Sequence, residues 1–116
     1  MKETRKQNQE AWPIYVLREN LRREASLLSG KLNRSVARLT SADALPCEEY
    51  GAEVESQRSF CERLMYLQHC RNALERCIAG KTAHLRFRWQ DGTVSETRFR
   101  KCGVNRVEVR GLEKSA

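Results

Sequence analysis

The stretch GKTAHLRFRWQDGTVSETRF, residues 80–99, contains the point at which the hydrophobic period of the chain changes. Before Gly80 the apolar residues recur every three or four positions, as on one face of a helix. After it, Leu85, Phe87 and Trp89 alternate with charged or polar residues, which predicts a strand with one buried face. The sequence therefore predicts an α+β chain in which helices precede a small antiparallel sheet.

Residues 90–92, Gln-Asp-Gly, form a turn signal between two strands, and two registers are compatible with it. A two-residue loop places Phe87 opposite Glu96, whereas a three-residue loop with a left-handed Gly92 places Arg86 opposite Glu96. We favour the three-residue loop because it brings the apolar residues of the first strand onto the same face as Thr93, Ser95, Thr97 and Phe99.

Two long amphipathic helices are predicted upstream of the sheet. The first begins at Ile14, directly after Pro13, and its apolar stripe runs to Leu39. A turn at 41–47 separates it from a second stripe of similar length, which ends at Gly80, where a left-handed C-terminal cap is expected. Two long helices with a short connection fold back on each other, so we expect an antiparallel, coiled-coil-like hairpin.

These elements divide the chain into four segments. They are a polar N-terminal tail (1–13), the helical hairpin (14–80), a β-meander packed on or beside it (81–111) and a C-terminal tail (112–116). The meander is expected to have three strands, the third at 106–110 after a turn at 101–103, with Val107 and Val109 buried. Such a small sheet needs the helices to cover its apolar face.

The sheet region carries most of the net positive charge. The chain has 22 Lys and Arg against 15 Asp and Glu, a net charge of +7, and residues 81–116 hold nine of those basic residues and four of the acidic ones. Clustered cations on a sheet face fit the phosphates of nucleic acid or an acidic protein surface. The candidate binding residues are Arg86, Arg88, Arg98, Arg100, Lys101, Arg106 and Arg110.

The opposite sign of charge gathers near the turn between the helices. Asp43, Glu48, Glu49 and Glu53 have no Lys or Arg among them, which predicts an acidic tip that contacts protein. Alternatively, the glutamates only stabilise the N-terminus of the second helix through its dipole.

This tip resembles the N-terminal hairpin of Gre-type transcript-cleavage factors. The resemblance covers residues 43–62 and rests on Asp43, on Glu49-Tyr50 and on the run Phe60-Cys61-Glu62. It implies insertion of the tip into the secondary channel of RNA polymerase. Of the two acids that hold a metal ion in that family, only Asp43 lines up, because the second position falls near Pro46. The resemblance therefore implies docking without cleavage activity.

The cysteines and the known catalytic motifs give no positive signal. Five cysteines without a Cys-x-x-Cys pair favour reduced thiols. Only Cys70, Cys77, His84 and Cys102 remain as a conceivable zinc set, and none of them lie two to four residues apart, as structural zinc ligands usually do. No glycine-rich phosphate loop, H-E-x-x-H or G-x-S-x-G is present. We therefore expect no enzyme activity, no metal and no cofactor.

The combined expectation is a non-enzymatic accessory protein that modulates a nucleic-acid-handling complex, with the hairpin contacting protein and the basic sheet face contacting phosphate. One alternative is an inhibitor or adaptor of the mobile-element type, which binds a host enzyme without touching nucleic acid. A second is the polymerase-channel factor. Lacking a long apolar run or a secretory signal, the chain is expected in the cytoplasm, away from membranes. A homodimer is compatible with the sequence.

Overall fold

The α+β architecture is confirmed in a computed structural model that describes residues 10–40 and 46–114. Along the chain the elements are β1 (Glu10–Pro13), α1 (Ile14–Leu39), α2 (Cys47–Gly80), β2 (Thr82–Arg88), β3 (Val94–Gly103) and β4 (Arg106–Arg110). The strands form one antiparallel sheet in the order β1-β4-β3-β2. Within the described residues, neither helix combines the length and the apolar content that a membrane span requires.

The sheet has four strands rather than the predicted three, because residues 10–13 pair with β4 instead of belonging to a tail. Trp12 lies opposite Val107 and packs partly buried against the core. Four residues are too few to show a hydrophobic period. They form a strand because they pair with the edge of β4 that would otherwise be open. Pro13 is compatible with this place because an edge strand tolerates a missing N–H.

The two helices run antiparallel, as predicted. Three ion pairs connect early residues of one helix with late residues of the other, namely Arg18–Glu75, Glu24–Arg63 and Arg38–Glu53. The buried stripe of α1 is shorter than expected, since it ends at Leu28, and Val36 is 43% exposed while Ser35 is buried. Polar contacts therefore hold the distal half of the hairpin together.

The core lies between α2 and the inner face of the sheet. Its helix side consists of Tyr66, Leu67, Cys70, Ala73, Leu74 and Cys77, and its sheet side includes Leu85, Phe87, Phe99, Val107 and Val109. The Tyr66 ring meets Phe87 edge-on at 5.4 Å between centroids, and Phe87 meets Trp89 at 4.7 Å. Burying one such side chain contributes roughly 1.5–3 kcal/mol.

The favoured hairpin register is confirmed. Arg86 pairs with Glu96, and Gly92 has φ +93°. The turn after β3 comes later than predicted, since β3 continues through Gly103 and contains a register shift between Lys101 and Gly103. This bulge resets the pairing of β3 with β4.

The left-handed position at the end of α2 is Lys81, with φ 86°, rather than Gly80, which remains helical. Two backbone hydrogen bonds hold Lys81 there. Its N–H donates to the Cys77 carbonyl at 2.6 Å, and its own carbonyl accepts from the Lys101 N–H at 2.7 Å. The contact with β3 thus fixes a conformation that lysine rarely adopts.

The segment after β4 is packed into the fold where the sequence predicts a tail. Leu112 is buried, and the Glu113 N–H donates to the Tyr66 hydroxyl at 2.9 Å. Gly111 makes this course possible, because its φ is +78° and a Cβ at this position would lie 2.3 Å from the Glu96 carbonyl oxygen.

Candidate phosphate-binding face

The strand alternation places six of the seven predicted basic residues on the exposed side of the sheet. Residues directly opposite each other in antiparallel strands share a face, and every second residue along a strand returns to it. We call this side the arginine face, and its cations are Arg86 and Arg88 on β2, Arg98 and Arg100 on β3, and Arg106 and Arg110 on β4.

Two of these arginines oppose each other directly. Arg98 on β3 pairs in register with Arg110 on β4, and its other cross-strand neighbour is His84 on β2. Like charges in directly opposite positions destabilise a sheet. Two arginines in register on one exposed face match the paired oxygens of a phosphate group, which makes this pair a candidate anion site.

Three of the six arginines form neither an ion pair nor a side-chain hydrogen bond within the described residues. Within residues 10–40 and 46–114, no ion pair is formed by Arg86, Arg88 or Arg98. Although Glu96 lies opposite Arg86, its carboxylate is 3.2 Å from Nε2 of His84. The β2 side of the arginine face is therefore strongly cationic.

The β4 side is partly neutralised. The Glu108 carboxylate accepts hydrogen bonds from Arg100 at 2.7 and 3.1 Å, and Arg106 donates to the carbonyl of Ala11 at 3.1 Å. Glu108 belongs to the same face as the arginines, although the sequence analysis did not include it. Its even spacing from Arg106 and Arg110 is the signal that identifies it.

A shallow cavity of about 540 Å³ lies on this face. The side chains from the arginine face that line it are Thr82, His84, Arg98, Arg100, Glu108 and Arg110. Sequence reasoning missed Thr82 and His84 because it counted cations and left out the polar residues in register with them. The cavity is lined by three guanidinium groups, the Thr82 hydroxyl and the Glu108 carboxylate, which already binds Arg100.

Lys101 does not belong to the arginine face. It lies opposite Val107, which is buried on the helix side, and it is itself partly buried. Because neighbouring residues in a strand point to opposite faces, Arg100 and Lys101 cannot both be exposed on the same side. The structure therefore separates Lys101 from the other six predicted residues.

Only some of the residues predicted for the acidic tip lie together on an exposed surface. Asp43, which also carries the resemblance to Gre-type factors, lies outside the described residues. Glu48 and Glu49 are exposed in the first turn of α2, a position that the helix dipole favours.

Glu53 is a contact between the helices rather than a free tip residue. Its side chain is only 16% exposed, lies 3.0 Å from Arg38 and accepts a hydrogen bond from the Ser35 hydroxyl. This correction follows from helix docking, which turns Glu53 toward α1.

The residues considered for zinc do not converge. Within the described chain, no three His, Cys, Asp or Glu side chains are arranged to hold a metal ion. Cys70 and Cys77 are buried in the core, whereas Cys102 is exposed at the bulge of β3. Burial raises the pKa of the Cys70 thiol to about 11, which disfavours its thiolate form.

Comparisons with protein families, with curated proteins and with solved structures find no match to this chain. The geometry and charge of the arginine face are thus the strongest indication of a binding site in the described residues.

Proposed function

We propose that this is a non-enzymatic, cytoplasmic accessory protein of a nucleic-acid-handling complex, and that its arginine face binds the phosphate backbone while the helical hairpin contacts protein. The observation that carries this proposal is the direct opposition of Arg98 and Arg110 on a face that also presents Arg86 and Arg88.

Guanidinium groups suit this role. Each donates several hydrogen bonds in a fixed plane, matches phosphate oxygens in pairs and stays charged at every physiological pH. The same property makes arginine a poor general base, which supports binding without catalysis.

The recognition is proposed to be independent of base sequence. Sequence readout of single strands relies on aromatic side chains that stack on bases. Here Phe87 is buried and Trp89 is partly buried, and both pack with Tyr66 on the helix side of the sheet. The arginine face is left with cations and polar groups, which contact the backbone.

The test is fluorescence anisotropy with a labelled duplex DNA and a labelled single-stranded RNA over a series of salt concentrations. Each phosphate contact contributes about 0.7–0.9 to the slope of log affinity against log salt. The double variant Arg98→Gln/Arg110→Gln is therefore expected to weaken binding and to reduce this slope by about 1.4–1.8. The matched control Arg23→Gln/Arg58→Gln removes the same charge from exposed positions on the helices and is expected to leave the slope unchanged.

Absence of nucleic-acid binding by the wild-type protein at low salt contradicts the proposal, as does an equal loss in the control. If the Arg98/Arg110 variant instead loses a protein partner that wild type binds without nucleic acid, the adaptor function replaces the proposed one.

A further inference from the structure

The outer edge of β2 is the long open edge of this sheet. β2 ends the strand order, and within the described residues no strand pairs with its other side. The opposite edge is the four-residue β1, which ends in Pro13 and is a poor template for pairing. β2 itself has seven residues, no proline and an unbroken register with β3.

Two hydrogen bonds determine which backbone groups of β2 point outward. The Lys81 carbonyl accepts from the Lys101 N–H at one end, and the Trp89 N–H donates to the Thr93 carbonyl at the other. Antiparallel pairs alternate between bonded and non-bonded, so the odd-numbered residues between these ends bond to β3. The N–H and C=O groups directed away from the sheet therefore belong to Thr82, His84, Arg86 and Arg88.

These outward-bonding residues are also the ones whose side chains lie on the arginine face. An antiparallel strand added at this edge places its own residues directly opposite His84, Arg86 and Arg88, with their side chains on that face. Acidic side chains at alternate positions of the added strand complement the unpaired charges of Arg86 and Arg88.

The intervening residues of an added strand face the helices. On that side they lie next to Leu85 and Phe87 of β2. The His69 ring lies 5.8 Å from Phe87, and Met65, one helical turn earlier on the same side of α2, is 57% exposed. Apolar residues suit these positions.

We propose that the β2 edge binds an extended segment of a partner protein as a fifth, antiparallel strand, in which acidic and apolar residues alternate. Main-chain hydrogen bonds supply affinity in this mode, and alternate side chains supply specificity. The inference does not require nucleic-acid binding. It adds a protein contact on the sheet to the one that the proposed function places on the hairpin.

A second copy of this chain fits the same edge poorly. Antiparallel self-pairing of β2 centred on Arg86 places that arginine opposite its own copy and Arg88 opposite His84. The two like charges of the Arg86 pair destabilise such a sheet, and positive charge on an edge is a common protection against self-association. The charge of β2 thus favours an acidic occupant.

The first test uses the wild-type protein and the capped peptide Val-Glu-Val-Glu-Val-Glu-Val as probe. We expect measurable binding at low salt, and none by the peptide with Lys in place of Glu. Methylating the backbone nitrogen of the middle glutamate removes a hydrogen bond to β2 and is expected to weaken binding about fivefold. Methylation of the adjacent valine, whose N–H points away from β2, is expected to have little effect.

The second test changes the protein. His84→Pro removes one outward N–H without breaking a bond to β3, and His84→Ala removes the same side chain while keeping that N–H. We expect the proline variant to bind the peptide about fivefold more weakly than the alanine variant. Both retain all the arginines, so their nucleic-acid affinities are expected to be equal, which separates this inference from the proposed function.

Equal peptide binding by folded His84→Pro and His84→Ala overturns the proposal, as does equal binding of the two methylated peptides. The proposal is also overturned if sedimentation velocity shows that wild type and His84→Ala are dimers and His84→Pro is a monomer. The strand bound at the β2 edge is then β2 of a second copy. If His84→Pro does not fold, as judged by circular dichroism, the methylated peptides still decide the matter on wild type.

Discussion

The Tyr66 hydroxyl on α2 lies 2.7 Å from the Thr97 hydroxyl on β3, and both side chains are buried. The surrounding bonds settle which atom donates. Thr97 donates to the Gly111 carbonyl at 3.0 Å, so Tyr66 donates to Thr97 and accepts from the Glu113 N–H at 2.9 Å. One hydroxyl pair thus joins the helix, the sheet and the segment after β4.

Removing the Tyr66 hydroxyl is expected to destabilise the fold. Tyr66→Phe leaves the Glu113 N–H without this acceptor and takes a donor away from Thr97, and such losses cost about 1–3 kcal/mol. Urea unfolding measures the change. The control Tyr15→Phe alters a side chain that is 72% exposed and is expected to change the free energy of unfolding by less than about 0.5 kcal/mol. Equal effects of the two changes contradict the importance of the buried bond.

Stability is expected to fall in mild alkali. Burial raises the pKa of Cys70 to about 11, so above the ordinary thiol pKa of about 8.5 the unfolded chain loses this proton first. The free energy of unfolding then declines as the pH rises from about 9 toward 11, by at most about 1.4 kcal/mol per unit for this group. Urea unfolding at several pH values is expected to give a shallower decline for Cys70→Ala. An unchanged slope refutes the role of Cys70.

Gly111 is expected to tolerate no side chain. Gly111→Ala combines a left-handed φ with a Cβ 2.3 Å from the Glu96 carbonyl oxygen, so the backbone must shift. We expect a loss of about 2 kcal/mol or more in thermal or urea unfolding. Gly80→Ala is the matched control, since Gly80 is helical and nothing lies within 4 Å of the added Cβ. It is expected to be neutral or to stabilise by up to about 1 kcal/mol; a similar loss at both positions contradicts this account.

Two of the ion pairs that join the helices are expected to contribute differently to the free energy of unfolding. Arg63, whose side chain is only 13% exposed, lies 2.9 Å from Glu24 and 5.3 Å from the centre of the Tyr66 ring. Arg18 and Glu75 are both about half exposed. Arg63→Ala is therefore expected to cost about 2 kcal/mol and Arg18→Ala less than about 1 kcal/mol in urea unfolding. A larger cost at Arg18 contradicts the burial argument.

The five cysteines are expected to fall into two reactivity classes. Cys47, Cys61 and Cys102 are exposed, and Cys70 and Cys77 are buried with raised pKa values, chiefly because burial disfavours the thiolate. Alkylation of the native protein followed by mass spectrometry is expected to show fast modification at the exposed three and slow modification at the other two. In denaturant all five are expected to react alike. Fast native labelling of Cys70 contradicts the packing of α2 on the sheet.

The elements whose residues repeat a period are specified by the local sequence. The bounds of α1 and the C-terminal end of α2 follow from apolar spacing, and the β2–β3 register follows from the parity of Leu85, Phe87 and Trp89 together with a left-handed Gly92. Alternation along a strand also implies that Arg100 and Lys101 point to opposite faces. The prediction of one common basic face did not take this alternation into account.

Other features depend on contacts between segments that are distant in the chain. β1 is a strand because β4 offers it an open edge, and Lys81 is left-handed because β3 holds its carbonyl. The opposition of Arg98 and Arg110 depends on a bulge that resets the register of β3 with β4, and no local pattern marks where that bulge falls. Local spacing specifies periodic elements, whereas pairings across the chain are selected by the packing of the whole fold.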